Sequence, residues 1–283
     1  MQSTPRLAVW LLVAALCSGC AHEKSSSAAR APAQRVVALM PAIAEDLYAI
    51  GAGSNVVGVS SYTDVPQAKK LPRVADFSSV DTERIVALHP DAVVGIPAQS
   101  RLVEPLIHAG VPVSLLNDDS YDDIFSDILA LGTITGHDAA ALKLVARLQR
   151  QTRRLHEQTG SFARHPSVFV VLGTGPIWTA GAGSYIGTLI ALAGGTNAAG
   201  DLHAAYGEYS AEALLRDQPD AIVTDPAVHL EAVLDREPWR SLHAVQRSHV
   251  YVVKPAATIE RPGPNYNEGL QWLVERLTPL AQS

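Results

Sequence analysis

Glu83 and Glu212 stand in near-identical surroundings. Glu83-Arg84-Ile85-Val86-Ala87-Leu88-His89-Pro90-Asp91-Ala92-Val93-Val94 aligns with Glu212-Ala213-Leu214-Leu215-Arg216-Asp217-Gln218-Pro219-Asp220-Ala221-Ile222-Val223. Glu, Pro and Asp recur at one offset of 129 residues (83 to 212, 90 to 219, 91 to 220). A second pair, Leu47-Tyr48-Ala49-Ile50-Gly51-Ala52-Gly53-Ser54-Asn55 and Leu189-Ile190-Ala191-Leu192-Ala193-Gly194-Gly195-Thr196-Asn197, is displaced by 142 (55 to 197). A carboxylate at the start of an apolar helix is favoured by the helix dipole, but capping alone does not call for the same glutamate twice. The period lies far above the roughly 20–50 residues of solenoid repeats. It implies two similar lobes, each presenting a glutamate at the same place. Such a frame holds something between its halves or is held by a symmetric partner.

Other chemistries find little support. Both cysteines, Cys17 and Cys20, lie near the N-terminus, so the rest of the chain has no thiolate nucleophile, disulfide or cysteine metal site. The 10 histidines are scattered, and only His203, close to Asp201, lies near the proposed cleft; a zinc or manganese site needs several His and carboxylates converging. No Gly-x-Ser-x-Gly nucleophile elbow occurs. Gly173-Thr174-Gly175 and Gly181-Ala182-Gly183 match neither a phosphate-binding loop nor a dinucleotide fingerprint and read as turns. A net charge of −6 without a concentrated basic run, apart from one helix face, excludes nucleic acid as a partner.

The elements that position these residues follow from periodicity. The chain of 283 residues, 47% hydrophobic and 18% charged, suits one or two globular domains with proper cores. Arg6 precedes an apolar stretch at 7–16, too short to span a bilayer, and Ser18-Gly19 places small residues before Cys20. This resembles a lipoprotein signal, cleaved before Cys20 and lipidated on its sulfur, with Cys17 where Leu is usual. An ordinary signal peptidase site is the alternative. Residues 1–19 therefore read as a signal peptide and 20–34 as a flexible tether, which implies an exported protein. Strands are predicted at 35–40, 55–59, 92–96 and 111–116, with helices at 41–50 and 102–109. The scheme recurs as strands at 167–172, 221–224 and 249–253 with helices at 184–193 and 265–277. Strands alternating with helices predict parallel-rich sheets in two α/β lobes, 35–137 and 161–283. Between them, Leu142, Val145, Leu148 and Leu155 predict one helix from Asp138, as N-cap, to about residue 158, with Gly160 as its stop and a basic face outward.

Many short motifs, in order from residue 35 to the C-terminus, resemble one family. They include Arg35-Val36-Val37-Ala38-Leu39-Met40-Pro41, Gly58-Val59-Ser60-Ser61-Tyr62-Thr63-Asp64-Val65-Pro66, Leu71-Pro72-Arg73-Val74, Tyr209-Ser210-Ala211-Glu212 and Arg261-Pro262-Gly263-Pro264. The chain is identified as a member of the class III periplasmic binding proteins, two Rossmann-like lobes joined by one long α-helix. These deliver cobalamin, haem or ferric siderophores to ABC importers, without catalysis of their own.

The resemblance implies roles for particular residues. Within the cluster, Gly58 to Asp64 followed by Pro66 is most similar to cobalamin-binding members. Haem-binding relatives commonly carry a tyrosine ligand just before this proline, where Val65 stands, although Tyr62 leaves haem open. A corrin ring needs aromatic and apolar faces with a few convergent polar groups. Tyr62, Phe77, Trp178, Tyr185 and Tyr206 are the expected ring contacts, with Tyr209 a weaker candidate, and Arg261 a cleft-facing guanidinium for an amide, carboxylate or propionate. Cobalamin is thus the expected cargo rather than a cofactor. Glu83 and Glu212 are expected to meet arginine pockets on the two subunits of an importer permease. A lipid-anchored sensor using the same clamp, a siderophore or haem carrier, and a metal-ion binder remain alternatives; the protein itself is expected to be a monomer.

Overall fold

The structure is a computed structural model that describes residues 31–282; the expected signal peptide and Cys20 lie outside these residues. Short Val- and Ala-rich runs form the first sheet: β1 (Val36–Ala38), β2 (Val56–Ser60), β3 (Arg73–Ala75), β4 (Ala92–Gly95) and β5 (Val113–Leu115). All pair in parallel in the order β3-β2-β1-β4-β5. β1 and β4 are buried along their whole length, as strands covered on both faces by helices must be. The second lobe contains β6 (Ser167–Val171), β7 (Gly173–Thr174), β8 (Ile177–Ala180), β9 (Thr196–Asn197), β10 (Tyr206–Glu208), β11 (Ala221–Thr224) and β12 (Val250–Val252). Its parallel sheet runs β12-β11-β6-β9, and β7, β8 and β10 form a separate antiparallel ribbon.

The two parallel sheets are copies. β2-β1-β4-β5 in one is β9-β6-β11-β12 in the other. The repeated Pro-Asp explains part of the likeness. Asp91 accepts hydrogen bonds from the Gln34 and Arg35 amides at 2.9 Å, and Asp220 accepts one from the Ser167 amide at 2.8 Å. Each aspartate thus fastens the start of the neighbouring central strand, and its own amide donates back to that strand at 2.8 Å. Each repeat also carries a helix-ending glycine. Helix α1 (Pro41–Ala49) ends before Gly51, at φ 86°. In the second repeat the matching residue is Gly194, at φ 79°, whereas the sequence alignment pairs Gly51 with Ala193. Only glycine takes this left-handed conformation without strain.

The remaining helices are α2 (Thr82–Ala87), α3 (Ser100–His108), α4 (Asp123–Thr135), α5 (Asp138–Thr159), α6 (Tyr185–Leu192), α7 (Ala211–Asp217), α8 (His243–Gln246), α9 (Ala257–Glu260) and α10 (Tyr266–Gln282). At 22 residues, α5 is about 33 Å long and links the two halves of the chain. His137, not Asp138, is its N-cap residue. Its buried seam is Ala141, Leu144, Val145, Leu148 and Thr152, while Leu142, expected on that seam, is 60% exposed. The seam turned because of α4, an element the sequence pattern did not reveal. A Cβ on Gly132 of α4 would come within 2.6 Å of the Ala141 Cβ, so the two helices cross in close contact and fix the rotation of α5. Helix α10 continues past Leu277 and through Pro279, because Leu280 and Ala281 extend its buried face; that burial outweighs the hydrogen bond lost at proline.

One apolar cluster runs through both lobes, from Val36, Leu47 and Ile128 by way of Leu144 and Leu148 to Val170, Leu189, Leu270 and Leu277. Polar bonds reinforce it. The Tyr266 hydroxyl lies 3.1 Å from that of Tyr121 and 2.6 Å from the Thr152 hydroxyl, and Asn267 donates to the Leu148 carbonyl at 3.1 Å. A shared core predicts shared unfolding. Leu144→Ala, at a position 3% exposed, is expected to cost about 2–5 kcal/mol and to lower the midpoint of a single thermal transition, read by calorimetry. Two separated transitions, only one of them shifted, would contradict the shared core.

Candidate functional site

The loops that leave the carboxyl ends of the first sheet face the segment 255–262 of the second lobe, and a cavity of about 320 Å³ lies between them. Met40, Pro41, Ile43, Ile96 and Phe77 give it apolar walls from one side, and Ala256, Ala257 and Pro262 from the other. Ligands of open α/β sheets collect at this edge. A wider furrow of about 510 Å³ between α5 and α10 is lined mainly by long polar side chains such as Arg147, Gln151 and Arg154, with Leu148, Leu155 and Pro264 among them.

Tyr62 and Phe77 form a stacked pair, with ring centroids 5.1 Å apart and planes inclined by 26°. They are 56% and 64% exposed. Local bonds hold both. Arg73 donates to the Ser60 and Thr63 carbonyls at 3.0 and 2.8 Å, fastening the turn that carries Tyr62. Asp76 accepts from the Ser78 and Ser79 amides at 2.8 Å, fastening the turn that carries Phe77. The pair thus leaves apolar ring surface exposed on fixed turns.

The other expected contacts fare differently. Tyr206 is half-buried on β10; its hydroxyl bonds the Ile186 backbone, and burial, against that bond and with Asp118, Asp119 and Glu260 close by, pushes it up to about 12. Trp178 is 41% exposed on β8 but does not line the cavity. Tyr185 corrects the sequence expectation. It is 0% exposed, at the start of α6 in the shared core, and its hydroxyl donates to the Arg261 carbonyl at 3.3 Å. It therefore supports the loop of Arg261 from beneath instead of meeting a ligand. Tyr209 is likewise buried, donating to Asp217 and Asp201 at 2.6 and 2.9 Å.

Arg261 lines the cavity but is already paired across the lobes, with Glu45 of α1 and with Asp64 at 3.2 Å. Burial still leaves the Glu45 carboxyl above its usual range, outweighing the pull of Arg261. Periodicity pointed to apolar contacts and missed a set of acids on this wall. Asp46, Asp118, Asp127 and Glu260 all line the cavity. Burial, then repulsion from Asp127 and Glu45, pushes Asp46 well up. Burial, then Asp123 and Asp118, raises Asp127 to about 7; burial, then Asp119, raises Asp118 to about 6. Burial, then the carboxylate of Asp225, raises Glu260 to about 8. A signal existed: Asp46 follows Ile43 by three residues, and Asp127 follows Ile124 by three, so both occupy apolar helix faces.

Glu83 and Glu212 are exposed in the first turns of α2 and α7. Others cap these helices: Asp81 accepts from the Arg84 amide and Ser210 from the Ala213 amide, each at 3.0 Å. Neither glutamate makes a side-chain hydrogen bond or ion pair among the described residues. Among the same residues no group of three or more His, Cys, Asp or Glu is placed to hold a metal ion, and no helix is long and apolar enough to cross a membrane.

Two α/β lobes, one connecting helix and a cleft between them define a class of protein, and comparison with known proteins agrees. Residues 36–257 match the periplasmic binding protein family, and the chain belongs to that family: it is a solute-binding protein, not an enzyme. It is 33% identical over 224 residues to a vitamin B12-binding protein of Pectobacterium carotovorum, covering 77% of each chain. It is 30% identical over 255 residues to the uncharacterized ABC transporter substrate-binding lipoprotein YvrC of Bacillus subtilis, covering 87% of this chain and 80% of that one. Among solved structures it is similar to the periplasmic vitamin B12-binding protein BtuF of Vibrio cholerae, with a TM-score of 0.75, 29% identity, and 88% and 98% of the two chains covered. The haem-binding RhuT of Roseiflexus sp. RS-1 shares the fold, with a TM-score of 0.79, 24% identity, and 88% and 99% covered.

The acid wall makes stability depend on pH. Asp118, Asp127 and Glu260 hold protons in the folded protein that they release when unfolded near pH 4. Their contribution is therefore complete below that pH and is lost as pH rises through about 6 to 8. The melting temperature of the ligand-free protein should fall between pH 5.5 and 8.5, and Asp127→Asn should flatten that slope. A slope of the opposite sign, or one untouched by Asp127→Asn, would contradict the assignment.

Proposed function

We propose that the protein captures a corrinoid, cobalamin foremost, in the interlobe cleft and delivers it to an ABC importer. The observation that carries this reading is the exposed Tyr62–Phe77 stack at a mainly apolar cavity, which suits one face of a broad, flat macrocycle. The vitamin B12-binding relatives support it. The polar groups suit a neutral ring bearing amides better than haem, because the cavity's arginine is engaged by Glu45 and Asp64 and the remaining charged side chains are acids. A haem carrier is the second reading, favoured by the exposure of Tyr62, whose phenol oxygen can ligate iron.

The repeat supplies the delivery step. Glu83 and Glu212 occupy equivalent first turns with carboxylates free for partners, so each lobe offers one anion to an arginine of a two-fold permease dimer. Lipid on Cys20 would keep the protein beside that membrane, and its tether would end before Ala33, earlier than the expected residue 34, because Ala33 is buried in the core and its amide donates to the Ile134 carbonyl at 2.7 Å.

Titration of the purified protein by calorimetry with cyanocobalamin, haemin and a ferric siderophore should give saturable one-to-one binding of cyanocobalamin and weaker or no binding of the others; preference for haemin would establish the second reading. Exchanging Glu83 and Glu212 together for Ala should abolish importer-dependent uptake while leaving cyanocobalamin affinity within about twofold, since surface charges outside a site change binding little. A large loss of affinity would instead move these glutamates into the binding site.

A further inference from the structure

Asp46 sits in the middle of α1, on the face that carries Ile43 and Leu47 into the core, and is only 3% exposed. Its Oδ1 has no hydrogen-bond partner, and the residue lines the interlobe cavity with Asp127 of α4, Asp118 and Glu260. A buried acid without a partner is costly. A leucine or alanine at this point of α1 would complete the apolar face at no such cost. An unsatisfied group retained at the wall of a binding cavity is accounted for if the ligand satisfies it.

We propose that Asp46, backed by Asp127, is the specificity-determining residue of the cleft, reading a primary carboxamide on the rim of the bound ligand. The inference rests on the corrinoid reading and deepens it. The charges that act on Asp46 are those of Asp127 and Glu45, and the only cation among the described residues lining the cavity, Arg261, is held by Glu45 and Asp64. Burial, then repulsion from Asp127 and Glu45, favours the protonated form of Asp46 in that company. A carboxylic acid and a primary carboxamide form two hydrogen bonds in one plane, acid O–H to amide oxygen and amide N–H to acid carbonyl. No bond is broken and no proton need leave the pair. A carboxylate in the same place offers no donor and meets a wall of acids, so a ring bearing acids instead of amides is turned away.

The test compares wild type with Asp46→Ala and Asp46→Asn, first without ligand and then by titration with cyanocobalamin, with a cyanocobalamin monocarboxylic acid in which one rim amide is hydrolysed, and with haemin. Without ligand, Asp46→Ala should melt about 2–4 °C higher than wild type; a lower melting temperature would mean that Asp46 is a structural group and would overturn the inference. With cyanocobalamin, Asp46→Ala should bind about tenfold or more weakly, and Asp46→Asn, which keeps both a donor and an acceptor, should stay within a few-fold of wild type. At least one monocarboxylic acid isomer should bind wild type more weakly than the parent, by a factor that shrinks in Asp46→Ala. Equal cyanocobalamin affinity in Asp46→Ala and wild type would overturn the inference while leaving the corrinoid reading in place. Failure of wild type to bind cyanocobalamin would overturn both, since no carboxamide rim would then be read.

Discussion

Everything in this molecule depends on a single packed junction, the seam where α5 lies between α4 and α10. The close crossing of Gly132 and Ala141 fixes one side. On the other, Thr152, Tyr266, Tyr121 and Asn267 join α4's leading turn, α5 and α10 in one hydrogen-bonded group. The apolar cluster crossing that seam includes residues of both parallel sheets. Rotating one lobe against the other would therefore require repacking a dense core, and protein interiors resist such changes in discrete steps, not smoothly. The cleft is thus largely preformed, which reduces the cost of ordering on binding. The same stiffness holds the two α2 and α7 glutamates at a set separation, as docking on a symmetric partner needs.

The cleft combines two kinds of surface with different tasks. The stacked Tyr62 and Phe77 rings and the aliphatic walls are apolar surface, whose burial under a ligand would be favourable with little regard to what that ligand carries at its edge. The acids would discriminate among ligands, and they are kept at the expense of stability, because each is held in a place where its charged form is disfavoured. Arg261 has a third task. Its pairing with Glu45 and Asp64 spans the lobes directly beside the cavity, so it acts as a latch, and its loop is held from below by Tyr185.

Much of this architecture could be read from the chain. The duplicated Glu and Pro-Asp implied two equivalent halves, and the sheets repeat the same strand order, because Asp91 and Asp220 perform one local task that any copy must retain. The connecting helix was legible since its amphipathic period is long and lies between Asp138 and Gly160. Helix α4 was not: Asp123, Asp127 and its threonines blur the apolar stripe, and tertiary contact with α5 defines it. The ribbon of β7, β8 and β10 also escaped, since two- and three-residue strands carry no period. At the site, Tyr62 and Phe77 stood out because turns display them, whereas Tyr185 looked the same in sequence and proved to be core. Asp46 and Asp127 went unnoticed for the opposite reason. Acids on helices usually mark the solvent side, and only the three-residue spacing from an isoleucine betrays them.

The most direct test of the braced clamp is the distance between the lobes. No cysteine lies among the described residues, so spin labels can be placed at Arg101 of α3 and Arg247 beyond α8, both exposed, in a protein that starts after Cys20, and the interval measured by double electron–electron resonance before and after saturation with cyanocobalamin. One narrow distribution whose mean moves by no more than a few ångströms is the result this structure predicts. Two separated populations, or a closure of about 10 Å or more of the kind seen in freely hinged domains, would contradict it.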